Sequence, residues 1–190
     1  LVVAACATNP VTGKKNLMLV GQASDIAVGQ QNYAPMRQSQ GGDYRVDPAL
    51  TAYVNQVGQR LAAVSDNKLP YEFSVLNNSV PNAWALPGGK IAVNRGLLTE
   101  LKNESELAAV LGHEVVHAAA RHSAQQQSKG ILLQGGLLAT QVATSDNDYG
   151  QLYAAGAGIA AQLLMTRYGR EAELEADKYG MDYMKRAGYD

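Results

Sequence analysis

Two histidines four positions apart, His113 and His117, sit inside an apolar run, and no other feature restricts the fold of this chain as tightly. Leu107, Val110, Leu111, Val115 and Val116 surround them. A four-residue spacing stacks two side chains on a single helix face, so a helix here presents both imidazoles together. The apolar neighbours mark that helix as largely buried. Imidazoles in apolar surroundings need polar partners, and a metal ion is one: imidazole nitrogens hold zinc at about 2.0–2.1 Å. Glu114, inside the run His113-Glu114-Val115-Val116-His117, can lean over the open side of such an ion and take a proton from water. The competing reading, two solvated surface histidines, fits the apolar neighbours poorly.

A catalytic zinc site takes three protein ligands and keeps a fourth position open. A histidine at position 123 would complete the longer HExxHxxGxxH pattern, but that residue is Ser123, and position 120 is Ala120. The remaining histidine, His122, lies about 180° round a continuing helix from His113. It is therefore expected to point away from the metal face in a structural role. The third donor must be a carboxylate. Residues 170–177 offer Glu173 and Asp177, which at four-residue spacing share a helix face. Glu173 can ligate the metal, and Asp177 can accept a hydrogen bond from a ligand imidazole and fix its tautomer. Glu171 and Glu175 read as a solvated acidic face.

The rest of the chain sets the frame. Its 190 residues suit one domain with a real core. Lys plus Arg number 16 and Asp plus Glu 17, so no basic face for nucleic acid is expected. The one cysteine, Cys6, follows a short apolar run ending in small residues, as in a bacterial lipoprotein signal. Cys6 would then be the lipid-bearing N-terminus, the alternative being a free cysteine in a frayed end. Residues 1–20, with Asn9-Pro10 and Thr12-Gly13, read as a lipoprotein-like tether or irregular arm, and 21–190 as one domain. Asp47-Pro48 starts a helix that runs to about Ser65. Residues 71–76, 82–86 and 90–94 read as strands, with a turn at Pro87-Gly88-Gly89. Asn103 caps a helix expected to continue past His117 to about Gln127. Two apolar stretches, 130–143 and 152–165, fall short of the ~20 residues needed to span a bilayer and are expected to pair as a helical hairpin. A last helix runs from about Arg170 to Arg186, with Gly188 as its stop.

His113–His117 followed by Arg170-Glu171-Ala172-Glu173-Leu174-Glu175-Ala176-Asp177 resembles the gluzincin metallopeptidases related to the CAAX prenyl proteases, in their bacterial periplasmic and lipoprotein branch. The run from Cys6 to Gly13, the segment from Asn82 to Gly89 and the Arg121-His122 pair are similar as well. The resemblance implies an α+β, zincin-like fold, mostly helical, with a small three-stranded sheet beside the metal-binding helix. It implies one zinc ion per chain on His113, His117 and Glu173, with Glu114 as general base and Asp177 supporting His113. Asn82, Ala83 and Trp84 would lie in an edge strand that offers backbone groups to an extended polypeptide substrate, a form of β-augmentation. Such enzymes also carry a group that steadies the transition-state oxyanion, and Tyr168 and Arg170 are the candidates. Relatives usually continue beyond the ligand helix, and the sequence leaves open whether a region after Asp190 is missing. The function implied is zinc-dependent endopeptidase action on misfolded or unassembled cell-envelope proteins, on the periplasmic side, with a membrane anchor at Cys6. The alternative is a non-catalytic, chaperone-like zinc module at the membrane surface. Processing of prenylated CAAX peptides would require membrane spans that the sequence lacks.

Overall fold

The computed structural model describes residues 6–142 and 168–189. The order is β1 (Cys6–Thr8), β2 (Lys15–Leu17), α1 (Gln22–Ser39), α2 (Pro48–Ala63), β3 (Glu72–Leu76), β4 (Ala83–Leu86), β5 (Lys90–Asn94), α3 (Arg95–Leu98), α4 (Glu104–Ala119), α5 (His122–Val142) and α6 (Arg170–Arg186). This is a mixed α and β architecture, predominantly helical. Among the described residues no helix is long and apolar enough to cross a membrane.

The helix boundaries follow from local chemistry. The Asp47 carboxylate accepts from the backbone N–H groups of Ala49 and Leu50, and Pro48 holds the first helical position of α2. At the start of α4, Asn103 Oδ1 accepts from Glu106 N at 2.9 Å, and the Glu106 carboxylate accepts from Lys102 N at 2.7 Å. Helix α6 ends at Arg186, and beyond its cap Gly188, with φ of +79°, lets Tyr189 N reach Met184 O at 2.9 Å, closing the last carbonyls in a Schellman motif.

The three-stranded sheet has the order β3-β5-β4. Strand β5 is central, parallel to β3 and antiparallel to β4. The tight β4–β5 turn uses Gly88 and Gly89 at φ +76° and +86°. Strand β4 therefore lies at an edge. One core joins the inner faces of α2, β3, β5, α4 and α6 through Val54, Leu61, Val75, Ile91, Leu111, Val115 and Tyr183, each at most 1% exposed. Burying a large aliphatic side chain of this kind contributes about 1.5–3 kcal/mol.

Helices α4 and α6 cross at glycine. A Cβ on Gly180 would sit 3.1 Å from His113 N, and one on Gly112 would sit 3.1 Å from Gly180 O. The two backbones thus touch, and this contact brings the first turns of α6 alongside His113 and His117.

Two sequence expectations differ from the structure. Helix α4 does not continue to Gln127. It stops at Ala119, Arg121 adopts a left-handed backbone with φ +59°, and α5 starts at His122. A non-glycine residue in that region costs roughly 1–2 kcal/mol. The Arg121 side chain offsets it: Nε donates to Asp25 Oδ2 and Nη2 to Val20 O, both at 2.6 Å. The irregular arm is also folded. Strands β1 and β2 pair antiparallel, and buried Asn9 accepts from Val11 N and Thr12 N inside the turn. Leu19 N donates to Ser128 Oγ, and Asn16 Nδ2 to Gln125 Oε1, which fastens the segment to α5. Strands of three residues are too short to show an alternating pattern. Of the expected helical hairpin, the first apolar stretch lies in α5 up to Val142; the second, 152–165, falls outside the described residues.

Candidate metal centre

Helix α4 presents His113 and His117 on one face, and the first turn of α6 brings Glu173 against them. The two Nε2 atoms lie 2.9 Å apart. Glu173 Oε2 is 3.4 Å from His113 Nε2, and its Oε1 is 3.8 Å from His117 Nε2. These separations bracket the ~3.4 Å between neighbouring donors round a tetrahedral ion with bonds of about 2.1 Å. Among the described residues these three form the one group of donors close enough to share an ion. The donor set suits a metal on chemical grounds too. Asp177 Oδ1 takes the Nδ1 proton of His113 at 2.9 Å, which leaves the Nε2 lone pair facing inward. His117 is 3% exposed, with its Nδ1 engaged at 2.8 Å by His122. Two imidazole nitrogens and a carboxylate converging on one point are an arrangement that a cation relieves.

His122 thus does not point away. It starts a new helix, and the left-handed turn at Arg121 swings it back onto His117, with ring centroids 4.9 Å apart. Glu175 is likewise no solvated residue. Its side chain is 13% exposed, and its carboxylate accepts from Lys14 Nζ at 3.2 Å and lies 3.4 Å from His122 Nε2. Sequence reasoning missed both placements. The Arg121-His122 pair was the visible trace, but no glycine or proline marks the break between α4 and α5.

The donors sit in the floor of a cavity of about 720 Å³, walled by residues 80–86 with Glu114 and Tyr168. A neighbouring hollow of about 530 Å³ shares Asn82, Ala83, His113 and Glu114, and adds Leu97, Val110, Ala176 and Met181. Together they make a trough along β4 and past the donors, with Asn82, Ala83 and Trp84 in its wall. Burial, and secondarily the Glu173 carboxylate, pushes the Glu114 carboxyl up to about 8. Burial, with His122 and His113 beside it, lowers His117 to about 2, so its imidazole is neutral. A bound cation would reverse the trend at Glu114.

The two oxyanion candidates part company. Tyr168 stacks on the His117 ring at 4.1 Å, and its hydroxyl is 2.6 Å from Ser123 Oγ. Burial raises its pKa, so it remains a phenol. Arg170 is exposed and lines a separate surface groove with Lys14 and Lys178 rather than the cavity. Cys6 is a free, exposed cysteine in β1.

Residues 48–190 match peptidase family M48. The chain is similar to the Beta-barrel assembly-enhancing protease of Escherichia coli (strain K12), at 31% identity over 184 residues, covering 88% of this chain and 36% of that protein. It is similar to Mitochondrial metalloendopeptidase OMA1 of Schizosaccharomyces pombe, at 37% over 149 residues, covering 74% of this chain and 40% of that one. It is also similar to Metalloprotease YcaL of Escherichia coli (strain K12), at 30% over 143 residues, covering 70% and 54% respectively. The chain spans little more than a third of the first of these relatives and about half of the last. The matched stretch runs from the start of α2 through α6 and holds all three converging donors together with Glu114. The chain belongs to peptidase family M48, a metallopeptidase family.

Proposed function

We propose that the chain is a zinc-dependent endopeptidase of gluzincin, zincin-like type that cleaves polypeptides bound in extended form. The observation that supports this most is the convergence of His113, His117 and Glu173 in the floor of a trough whose wall is an edge strand. Zinc held by these three residues would supply Lewis acidity and bring the pKa of water toward ~7. Glu114, next to His113 on the cavity floor, takes the proton from the attacking water and passes it to the leaving amine. Asp177 holds His113 in the tautomer that presents Nε2. The free edge of β4 at Asn82, Ala83 and Trp84 aligns the substrate backbone by strand addition. Tyr168 is the residue in reach of the cavity to steady the developing oxyanion; Arg170 is not.

We assign the substrates to misfolded or unassembled cell-envelope proteins on the periplasmic side, with the protein anchored by lipid at Cys6. Support comes from the names of the bacterial relatives and from the small-residue run before Cys6. A chaperone-like zinc module would close its metal with a fourth protein donor, and the described residues bring only three together. The test is Glu114→Gln. It should retain zinc by metal analysis and lose cleavage of a casein-type substrate by about 10²–10⁴-fold, the loss expected when the base is removed. A variant that cuts as fast as its parent overturns the mechanism. Mass spectrometry of the mature N-terminus tests the anchor, and an unmodified Cys6 in the native host rejects it.

A further inference from the structure

We propose that His122 is a positioning residue for His117. It forms the middle of a relay, Glu175–His122–His117, that fixes which nitrogen His117 offers to the metal. The inference rests on the reading of His117 as a zinc ligand.

The argument is one of donors and acceptors. An imidazole with two engaged ring nitrogens has a choice of proton position, and its partners make the choice. The ligand reading has His117 Nε2 bare, 2.9 Å from His113 Nε2 and turned toward Glu173, and so leaves the His117 proton on Nδ1. That atom lies 2.8 Å from His122 Nδ1, which then has to accept. The proton of His122 is thereby placed on Nε2, 3.4 Å from Glu175 Oε2, and the same carboxylate takes Lys14 Nζ at 3.2 Å. The proton positions run one way from the donor set to Glu175.

The two ligand histidines are thus oriented by different means. His113 has a carboxylate directly behind it, Asp177 at 2.9 Å. His117 has its carboxylate one imidazole further off. A residue on α4 itself could not occupy that place, because α4 ends at Ala119. The left-handed turn at Arg121 puts His122 there. Tyr168 stacks on the far face of the relay, 4.1 Å from the His117 ring and 5.8 Å from that of His122, and limits the tilt of both rings.

Partners behind a metal ligand are worth about 10–100-fold in metal affinity. Two measurements on the full chain test the relay. Zinc affinity is read by chelator competition for the parent, His122→Phe and His122→Gln. Phenylalanine fills the space but cannot accept a hydrogen bond. Glutamine can accept from His117 and donate to Glu175 at once. The expected result is a 10–100-fold loss in His122→Phe and recovery to within a few-fold in His122→Gln. In the zinc-loaded parent, histidine nitrogen NMR should show protons on His117 Nδ1 and His122 Nε2, with His122 Nδ1 bare. Equal losses in both variants, unchanged affinity in His122→Phe, or a proton on His122 Nδ1 would overturn the proposal. If His122→Phe fails to fold, the glutamine variant and the parent spectrum still decide. A parent that binds no zinc refutes the ligand reading as well, which separates that failure from failure of the relay alone.

Discussion

Helix α4 meets α6 through glycine and meets α5 through arginine. At the first junction Gly112 and Gly180 bring backbone against backbone, and a Cβ on Gly180 would stand 3.1 Å from His113 N. At the second junction the backbone is strained at Arg121, and a buried guanidinium reaches Asp25 and Val20 near the start of the chain. The first junction delivers Glu173, one of the three converging donors. The second delivers a residue behind a donor, His122. Close packing without side chains leaves few ways to relax. A strained turn held by polar bonds is stable only while every bond is made. The two sides of one site thus have different weak points.

The largest effect is expected at the arginine junction. Arg121→Ala leaves Asp25, 6% exposed, without its partner, and loss of one member of a buried ion pair costs about 3–5 kcal/mol. Urea unfolding measures it; a cost below 1 kcal/mol would mean that the pair is not what holds the turn. Arg121→Gly sharpens the point. It loses the same bonds but accepts φ +59° freely, so it should be about 1 kcal/mol more stable than Arg121→Ala.

At the glycine junction, Gly180→Val forces a branched side chain into a backbone contact and should cost about 1–3 kcal/mol by overpacking. It should also weaken zinc binding, because Glu173 and Asp177 ride on the displaced helix. Stability lost with zinc affinity intact would show that the crossing does not set the donor geometry.

The smallest effect is a pH trend in the metal-free protein. Glu114 is raised from 4.5 to about 8, so between those values the folded state holds a proton that the unfolded state has released. Its contribution is complete below 4.5 and is lost as pH rises to about 8. His117 is lowered from 6.5 to about 2 and works the other way, with stability gained as pH rises from about 2 to 6.5. Above 6.5 the Glu114 trend stands alone, and the slope is at most about 1.4 kcal/mol per pH unit. Melting temperatures in chelator should fall from pH 6.5 to 8, and saturating zinc should flatten the fall. A rise over that range would contradict a proton held on Glu114.

The same contrast explains what the sequence could reveal. Asp47, Asn103 and Gly188 mark helix ends because their partners lie within a few residues. His113, His117, Glu173 and Asp177 were legible because four-residue spacing on a helix determines a shared face. The crossing of α4 and α6 keeps those faces opposed. Arg121 was illegible because Ala118, Ala119 and Ala120 are strong helix formers, and the reason to stop lies at Asp25, far away in the chain. His122 and Glu175 were misread for the same cause. Their positions follow from a turn that only tertiary bonds can hold. The β1–β2 hairpin was missed because its anchors, Ser128 and Gln125, belong to a helix more than 100 residues later.

The glycine contact between α4 and α6 also sets an order of events. His113 and His117 leave the ribosome well before Glu173, and Glu173 is brought into place only once Gly180 has emerged and docked. A nascent chain that has made α4 but not α6 therefore carries two of the three converging donors and lacks the third. The donor group stays incomplete during synthesis until α6 has been made and docked against α4.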